Sequence, residues 1–270
     1  MTASLAQIVA AARTRVSNAR RAADLRELER HALARRPRGF RAALEAAAQT
    51  GIAVIAELKK ASPSRGVIRA DFDPAALAAE LAGAGAAALS VLTDEEFFQG
   101  SLENLRVASE ASQLPCLRKD FIVDEVQLLE ARASSADAVL LIVAALSPSE
   151  LTRLVQRSRE LELDVLCEVH DEEELHSALD AGCNLIGVNN RDLRTFQVDL
   201  STALRIGPLI PKHVLSVAES GIYSGTDISR LRAEGYQAFL IGESLMKAQN
   251  PGTALRTLIA EASKTVSSLT

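Results

Sequence analysis

The 270-residue sequence predicts an α/β protein: a closed barrel of eight parallel strands, a (β/α)8 or TIM barrel, with a helical extension over residues 1–50. Three observations predict it. Short β-rich runs recur eight times after Gly51, the gaps between them carry helical patterns, and no glycine-rich GxGxxG turn follows the first run. Alternating strands and helices mean a parallel sheet covered on both faces, and an open sheet of that kind usually carries such a turn. A barrel of about 250 residues fits the length as one domain, and no Gly/Ser linker divides residues 1–270.

The elements follow in order. Residues 1–23 contain Arg13, Arg15, Arg20 and Arg21 and no acid, the composition of an organelle transit peptide. However, Leu5, Ile8, Val9, Ala12 and Val16 form a helical stripe, read as continuing into Leu25, Leu28 and Leu33. A structural helix is therefore expected. The cluster Arg35-Arg36-Pro37-Arg38 reads as a solvated loop, and residues 40–50 as a second amphipathic helix. Strands are expected at 52–56, 88–92, 115–117, 138–143, 165–169, 185–188, 214–217 and 238–241, and helices at 74–81, 102–111, 126–133, 148–161, 172–181, 225–233 and 253–260. Asp73-Pro74, Ser147-Pro148 and Asp171 supply helix-start signals.

Composition removes several function classes. With 30 basic and 35 acidic residues the net charge is −5, which offers no global attraction to nucleic acid or an anionic membrane. Aromatics are 3 % and Trp is absent, so a base-stacking surface is not expected. The apolar stretch 138–149 falls short of the roughly 20 residues that span a bilayer. Cys116, Cys167 and Cys183 lack CxxC spacing and sit in apolar runs, as buried free thiols of a reducing, cytoplasmic compartment do. His31, His170, His176 and His213 lack ligand spacing, so no metal is expected.

Active sites of such barrels lie at the C-terminal ends of the strands. Those ends carry Glu57 and Lys59, Lys119, Glu168, Asn189, and Glu219-Ser220. The ionisable groups come from odd-numbered strands, and alternate strands fill one interior layer. Glu168 lies inside the apolar run Leu166-Cys167-Glu168-Val169, where burial of a carboxylate demands a partner. Mixed carboxylates and lysines in one pocket suit acid–base catalysis. Gly221 and Gly242, with Glu243 opening a short helix, lie after the last two strands, where many barrels bind phosphate. Glu243 must then turn its side chain away from a dianion.

The run Ile55-Ala56-Glu57-Leu58-Lys59-Lys60-Ala61-Ser62-Pro63-Ser64-Arg65-Gly66 resembles the signature of the indole-3-glycerol phosphate synthase family. The resemblance extends through Ser90-Val91-Leu92-Thr93-Asp94, Phe97-Phe98-Gln99-Gly100-Ser101, Leu117-Arg118-Lys119-Asp120-Phe121-Ile122, Gly187-Val188-Asn189-Asn190-Arg191-Asp192-Leu193 and Ala218-Glu219-Ser220-Gly221-Ile222. Leu58, Arg65 and Glu243 depart from the commoner residues. The resemblance implies a cofactor-free carboxy-lyase of tryptophan biosynthesis acting on an anthranilate-bearing phosphosugar, in its monofunctional form; a monomer is expected. It implies Lys119 as acid, Lys59 as partner of the anthranilate carboxylate, Glu168 as base and Glu57 as its partner. Asn189 and Ser220 would bind polar parts of the substrate, Glu219 would support the charge network, and Arg191 would assist at the rim. Phe98, Phe121 and Leu193 would form the ring slot; Ser62, Gly221, Gly242 and the backbone of Glu243 would cradle phosphate. The rival readings are another phosphosugar barrel enzyme, such as a phosphoribosylanthranilate isomerase, and a binding protein that has lost activity.

Overall fold

The computed structural model describes residues 4–22, 24–193 and 195–267; positions 1–3 and 23 of the arginine-rich start lie outside it. Eight parallel strands close into a barrel: β1 (Ala53–Leu58), β2 (Ala88–Leu92), β3 (Cys116–Lys119), β4 (Ala138–Ile142), β5 (Asp164–Val169), β6 (Leu185–Asn189), β7 (Leu215–Glu219) and β8 (Ala238–Ile241). Each strand pairs with its sequence neighbours, and β1 pairs with both β2 and β8. Period-two alternation sorts the side chains. Ala53, Ile55, Leu117, Leu166, Leu215 and Val217 pack in an interior cluster, while Val54, Ala56, Leu58, Cys167 and Val169 belong to the cluster that includes the surrounding helices.

Several strands run one or two residues past the apolar runs, to Leu58, Lys119, Asn189 and Glu219. The hydrogen-bond ladder continues there, but the inward side chains turn polar, so hydropathy ends before the strand does. Three short helices carry too little periodicity to announce themselves fully: Glu95–Phe98, Ser201–Ile206 and Glu243–Lys247, of which only the last was expected from the sequence, although Asp94 caps the first. Between β1 and the helix Pro74–Gly83, Ala61–Ser62 pairs antiparallel with Gly66–Val67 in a small hairpin.

Three helices precede the barrel: α1 (Leu5–Ala22), α2 (Leu25–Leu33) and α3 (Phe40–Thr50). The α1 stripe is buried at Ile8, Ala12 and Val16, and Val16 packs on Val123 and Val126. The stripe continues only in part, since Leu28 packs against the Val16 cluster but across a break in the helix. Asp24 caps a separate helix, and Leu25 and Leu33 are 40 % and 60 % exposed. Phe40 and Leu44 of α3 join the barrel's interior cluster.

The basic cluster is not a solvated loop throughout. The fully buried Asp137 carboxylate accepts from Arg35 Nη2 at 2.9 Å, the Arg38 backbone N–H at 2.7 Å and the Cys116 backbone N–H at 2.8 Å. Arg38 also reaches Ser109 Oγ at 2.7 Å and the Leu114 carbonyl at 2.9 Å. This knot ties the extension to the barrel. Removing the carboxylate leaves the Arg38 and Cys116 backbone N–H groups without this acceptor, at a cost of about 1–3 kcal/mol for each buried donor. Asp137→Ala is therefore expected to lower unfolding free energy by about 2–4 kcal/mol. Urea denaturation followed by circular dichroism measures that loss, and an unchanged midpoint would remove the knot from the stability argument.

Candidate active site

Strands deliver the chemistry in layers. The uppermost inward positions of β1, β3, β5 and β7 are Glu57, Lys119, Glu168 and Glu219, and side chains of alternate strands share a layer in such barrels. Here that layer holds three carboxylates around one ammonium. Lys119 Nζ lies 2.9 Å from Glu168 Oε2 and 3.7 Å from Glu219 Oε2. Lys59, two residues beyond Glu57, turns back to place Nζ 2.6 Å from Glu57 Oε1. Asn189 Nδ2 donates to Glu168 Oε1 at 3.1 Å.

Missing side chains make room for these charges. Gly187 points into the barrel beneath Glu219, and a Cβ there would lie 2.0 Å from Glu219 Oε1. At Gly242 a Cβ would meet Glu57 Oε1 at 2.5 Å. Ser220 and Gly221 both take left-handed backbone, φ 64° and 77°, turning the chain across the barrel mouth. A Cβ on Gly221 would also approach Val198 Cγ1 to 2.7 Å.

The environments push these carboxyls apart. Burial raises the proton affinity of Glu168, but Lys119 and His170 outweigh it and hold the carboxylate well below its usual range. Burial also opposes ionisation of Glu57, and Lys59 and Lys119 again prevail. Glu219 goes the other way. Burial, reinforced by Glu168 and Glu57, pushes it up to about 8 against the pull of Lys119. Its Oε1 is buried without a hydrogen-bond partner. Lys119 loses hydration on burial, yet Glu168, Glu219 and Glu57 hold it firmly protonated. At neutral pH the layer thus contains two carboxylates, one carboxylic acid and one ammonium.

Every residue singled out from the sequence lines one pocket at this mouth: Glu57, Lys59, Ser62, Phe98, Lys119, Phe121, Glu168, Asn189, Arg191, Leu193, Glu219, Ser220, Gly221, Gly242 and Glu243. Phe98 and Phe121 face each other with ring centroids 6.2 Å apart. The Glu243 carboxylate is gathered among cations, with Lys247 Nζ at 2.6 Å, Arg65 Nε at 3.1 Å and Arg191 Nη2 at 3.2 Å. Among the described residues no group of three or more His, Cys, Asp or Glu is arranged to hold a metal ion.

Sequence reasoning missed two contributors. Leu5 and Ile8 of α1 line the pocket, so the segment that looks like a leader is part of the site's wall. Arg15 fixes α1 there, reaching Asp94 at 3.0 Å and Asp120 at 3.2 Å. Asp94 in turn caps the Phe97 backbone N–H at 2.7 Å, and Asp120 accepts from the Phe121 N–H at 2.8 Å. One arginine therefore braces both walls of the aromatic slot. The second contributor, His170, lies behind Glu168.

The sequence model of the indole-3-glycerol phosphate synthase family matches residues 5–258. The chain belongs to this family. Indole-3-glycerol phosphate synthase of Koribacter versatilis (strain Ellin345) is 57 % identical over 259 residues, covering 96 % of this chain and 100 % of the relative. That of Bordetella pertussis is 51 % identical, covering 95 % and 98 %. Family membership makes the chain a carboxy-lyase of tryptophan biosynthesis. More distant solved structures share the fold alone. A thiamine phosphate pyrophosphorylase from Pyrococcus furiosus gives a TM-score of 0.59 at 15 % identity, over 80 % of this chain and 98 % of that one. A mandelate oxidase variant gives 0.62 at 16 %, over 89 % and 94 %.

The raised Glu219 yields a pH prediction. An unfolded carboxyl ionises near its ordinary value of 4.5, whereas the folded one holds its proton to about 8. Between those values the native state binds more protons, so this group costs stability as pH rises. Relative to the parent, Glu219→Gln is expected to gain stability progressively from about pH 5 to pH 8 and then level off, as denaturation midpoints across that range measure. A difference independent of pH would place Glu219 among ordinary carboxylates.

Proposed function

We propose that this pocket converts 1-(2-carboxyphenylamino)-1-deoxyribulose 5-phosphate into indole-3-glycerol phosphate, CO₂ and water, with the residues below in named roles. The observation that carries the reading is the Lys119 ammonium, kept charged by its glutamate neighbours and lining a pocket with an aromatic slot. Ring closure requires an anthranilate carbon to attack the ribulose carbonyl, and the carbonyl oxygen gains negative charge. Lys119 stabilises that oxygen and protonates it, a role a fixed cation fills without reorganisation. Lys59 pairs with the anthranilate carboxylate and holds the ring carbon over the carbonyl, with Glu57 orienting both lysines.

Loss of CO₂ takes the electron pair back into the ring. Dehydration then needs a base for the carbon-bound proton and an acid for the leaving hydroxyl. Glu168, ionised and gripped by Asn189 and Lys119, serves as base. Glu219 supports the charge network and keeps a proton beside Lys119. Phe98, Phe121 and Leu193, joined by Leu5 and Ile8, enclose the ring, and Arg191 braces the rim. Asn189 and Ser220 bind the sugar hydroxyls. Ser62, Gly221, Gly242 and the Glu243 backbone cradle the phosphate. Its charge competes with the Glu243 carboxylate for Arg65, Arg191 and Lys247, so that carboxylate must yield or turn aside.

The reading includes a monomer, and a net charge of −5 gives it no general attraction to nucleic acid. Three buried free thiols suit the cytoplasm.

Incubation with the carboxyphenylamino substrate, followed by indole fluorescence, tests the reading directly; folded protein giving no product would favour a binding-only role. Lys119→Met is expected to abolish ring closure with substrate binding held within about tenfold, the pattern of an interaction made in the transition state. Glu168→Gln is expected to cut turnover by about 10² or more, as loss of a general base does. Wild-type rates from either variant would strike that residue from the mechanism.

A further inference from the structure

His170 stands immediately beyond β5, outside the residues that line the pocket, with its ring largely buried behind Glu168. Two contacts fix the ring. Its Nδ1 lies 3.0 Å from Glu174 Oε2, the same oxygen that accepts the His170 backbone N–H at 2.8 Å. Glu174 is itself set by the start of the helix Glu172–Asp180, where its backbone N–H donates to the capping Asp171 at 2.8 Å. The other ring nitrogen, Nε2, is buried without a hydrogen-bond acceptor and faces Glu168 Oε1 at 3.4 Å. That oxygen already accepts from Asn189, while Oε2 meets Lys119 in the pocket.

We propose that His170, clamped by Glu174, is a positioning residue for Glu168: as an imidazolium it pins the Oε1 edge against the barrel wall and leaves Oε2 turned to the substrate as the proton-accepting oxygen. The inference rests on Glu168 being the base of the reaction. The electrostatics agree. Burial disfavours a charged imidazole, but Glu168 and Glu174 together lift His170 to about 10. The charged and titratable groups facing the pair are Lys119 from β3, Glu219 from β7, Glu174 from the helix after β5, and the Cys167 thiol on β5 itself. Glu57 from β1 faces Glu168 across the layer.

Steady-state kinetics over pH 6 to 9 test the proposal with His170→Gln, Glu174→Gln and the double variant. His170→Gln is expected to lower kcat about tenfold with KM changed less than about twofold, since the lost contact orients a catalytic group and touches no substrate. Glu174→Gln removes one of the two carboxylates that keep the imidazole charged, so its affinity for a proton falls. Its kcat should therefore acquire a new alkaline limb in this range, absent from the parent and from the double variant. Glu168→Gln is measured alongside. Normal turnover by Glu168→Gln overturns the parent reading; an inactive Glu168→Gln with wild-type kcat and a flat profile in the other variants overturns this inference alone. Should His170→Gln not fold, the imidazole proton resonance of His170 in the unaltered protein decides: imidazolium persisting beyond pH 8 supports the proposal, and titration near 6.5 overturns it.

Discussion

Everything at the barrel mouth depends on one ammonium group. Lys119 is the cation around which Glu57, Glu168 and Glu219 can be buried together. Taking an ion out of water costs several kcal/mol even after relaxation, and mutual attraction compensates only when the geometry is tight. With three carboxylates to one lysine in the layer, complete pairing is impossible. Lys59 supplies the second positive charge for Glu57, His170 supports Glu168, and Glu219 keeps its proton. The layer is reactive because it is electrically unfinished.

The barrel's periodicity puts these groups together. Inward positions recur every second residue and odd strands share a layer, so residues from Glu57 to Glu219 meet although 162 positions separate them in the chain. Packing does the remainder by omission. At Gly187 and Gly242 the sequence leaves out a side chain where a carboxyl group must lie, and any Cβ would collide with an oxygen of Glu219 or Glu57. These glycines act through volume; neither has a left-handed backbone.

Much of this was legible in the residues. The eight apolar runs give the strand order, and a carboxylate inside Leu166-Cys167-Glu168-Val169 marks a buried charge. What was hidden depends on contacts far apart in the chain. Nothing local in Arg35 or Arg38 reveals Asp137, 102 and 99 positions away. His170 was set aside because it lacks metal-ligand spacing, and its true signal is a different one: a glutamate two residues before it and another four residues after, at a helix start. The end of the α1 stripe at Asp24 was readable as a helix cap, but the leucines beyond it kept the period.

The way α1 is anchored bears on how the chain is made. Its partners lie far downstream: Asp120 is 105 positions beyond Arg15, and Glu150 is 137 beyond Arg13. A ribosome extrudes the first helix long before either carboxylate exists. For that interval the nascent protein carries a basic amphipathic segment with its apolar stripe of Ile8, Ala12 and Val16 uncovered. The likeness to a transit peptide is therefore one of composition, and what sets this helix apart is its set of acidic docking partners, Asp94, Asp120 and Glu150.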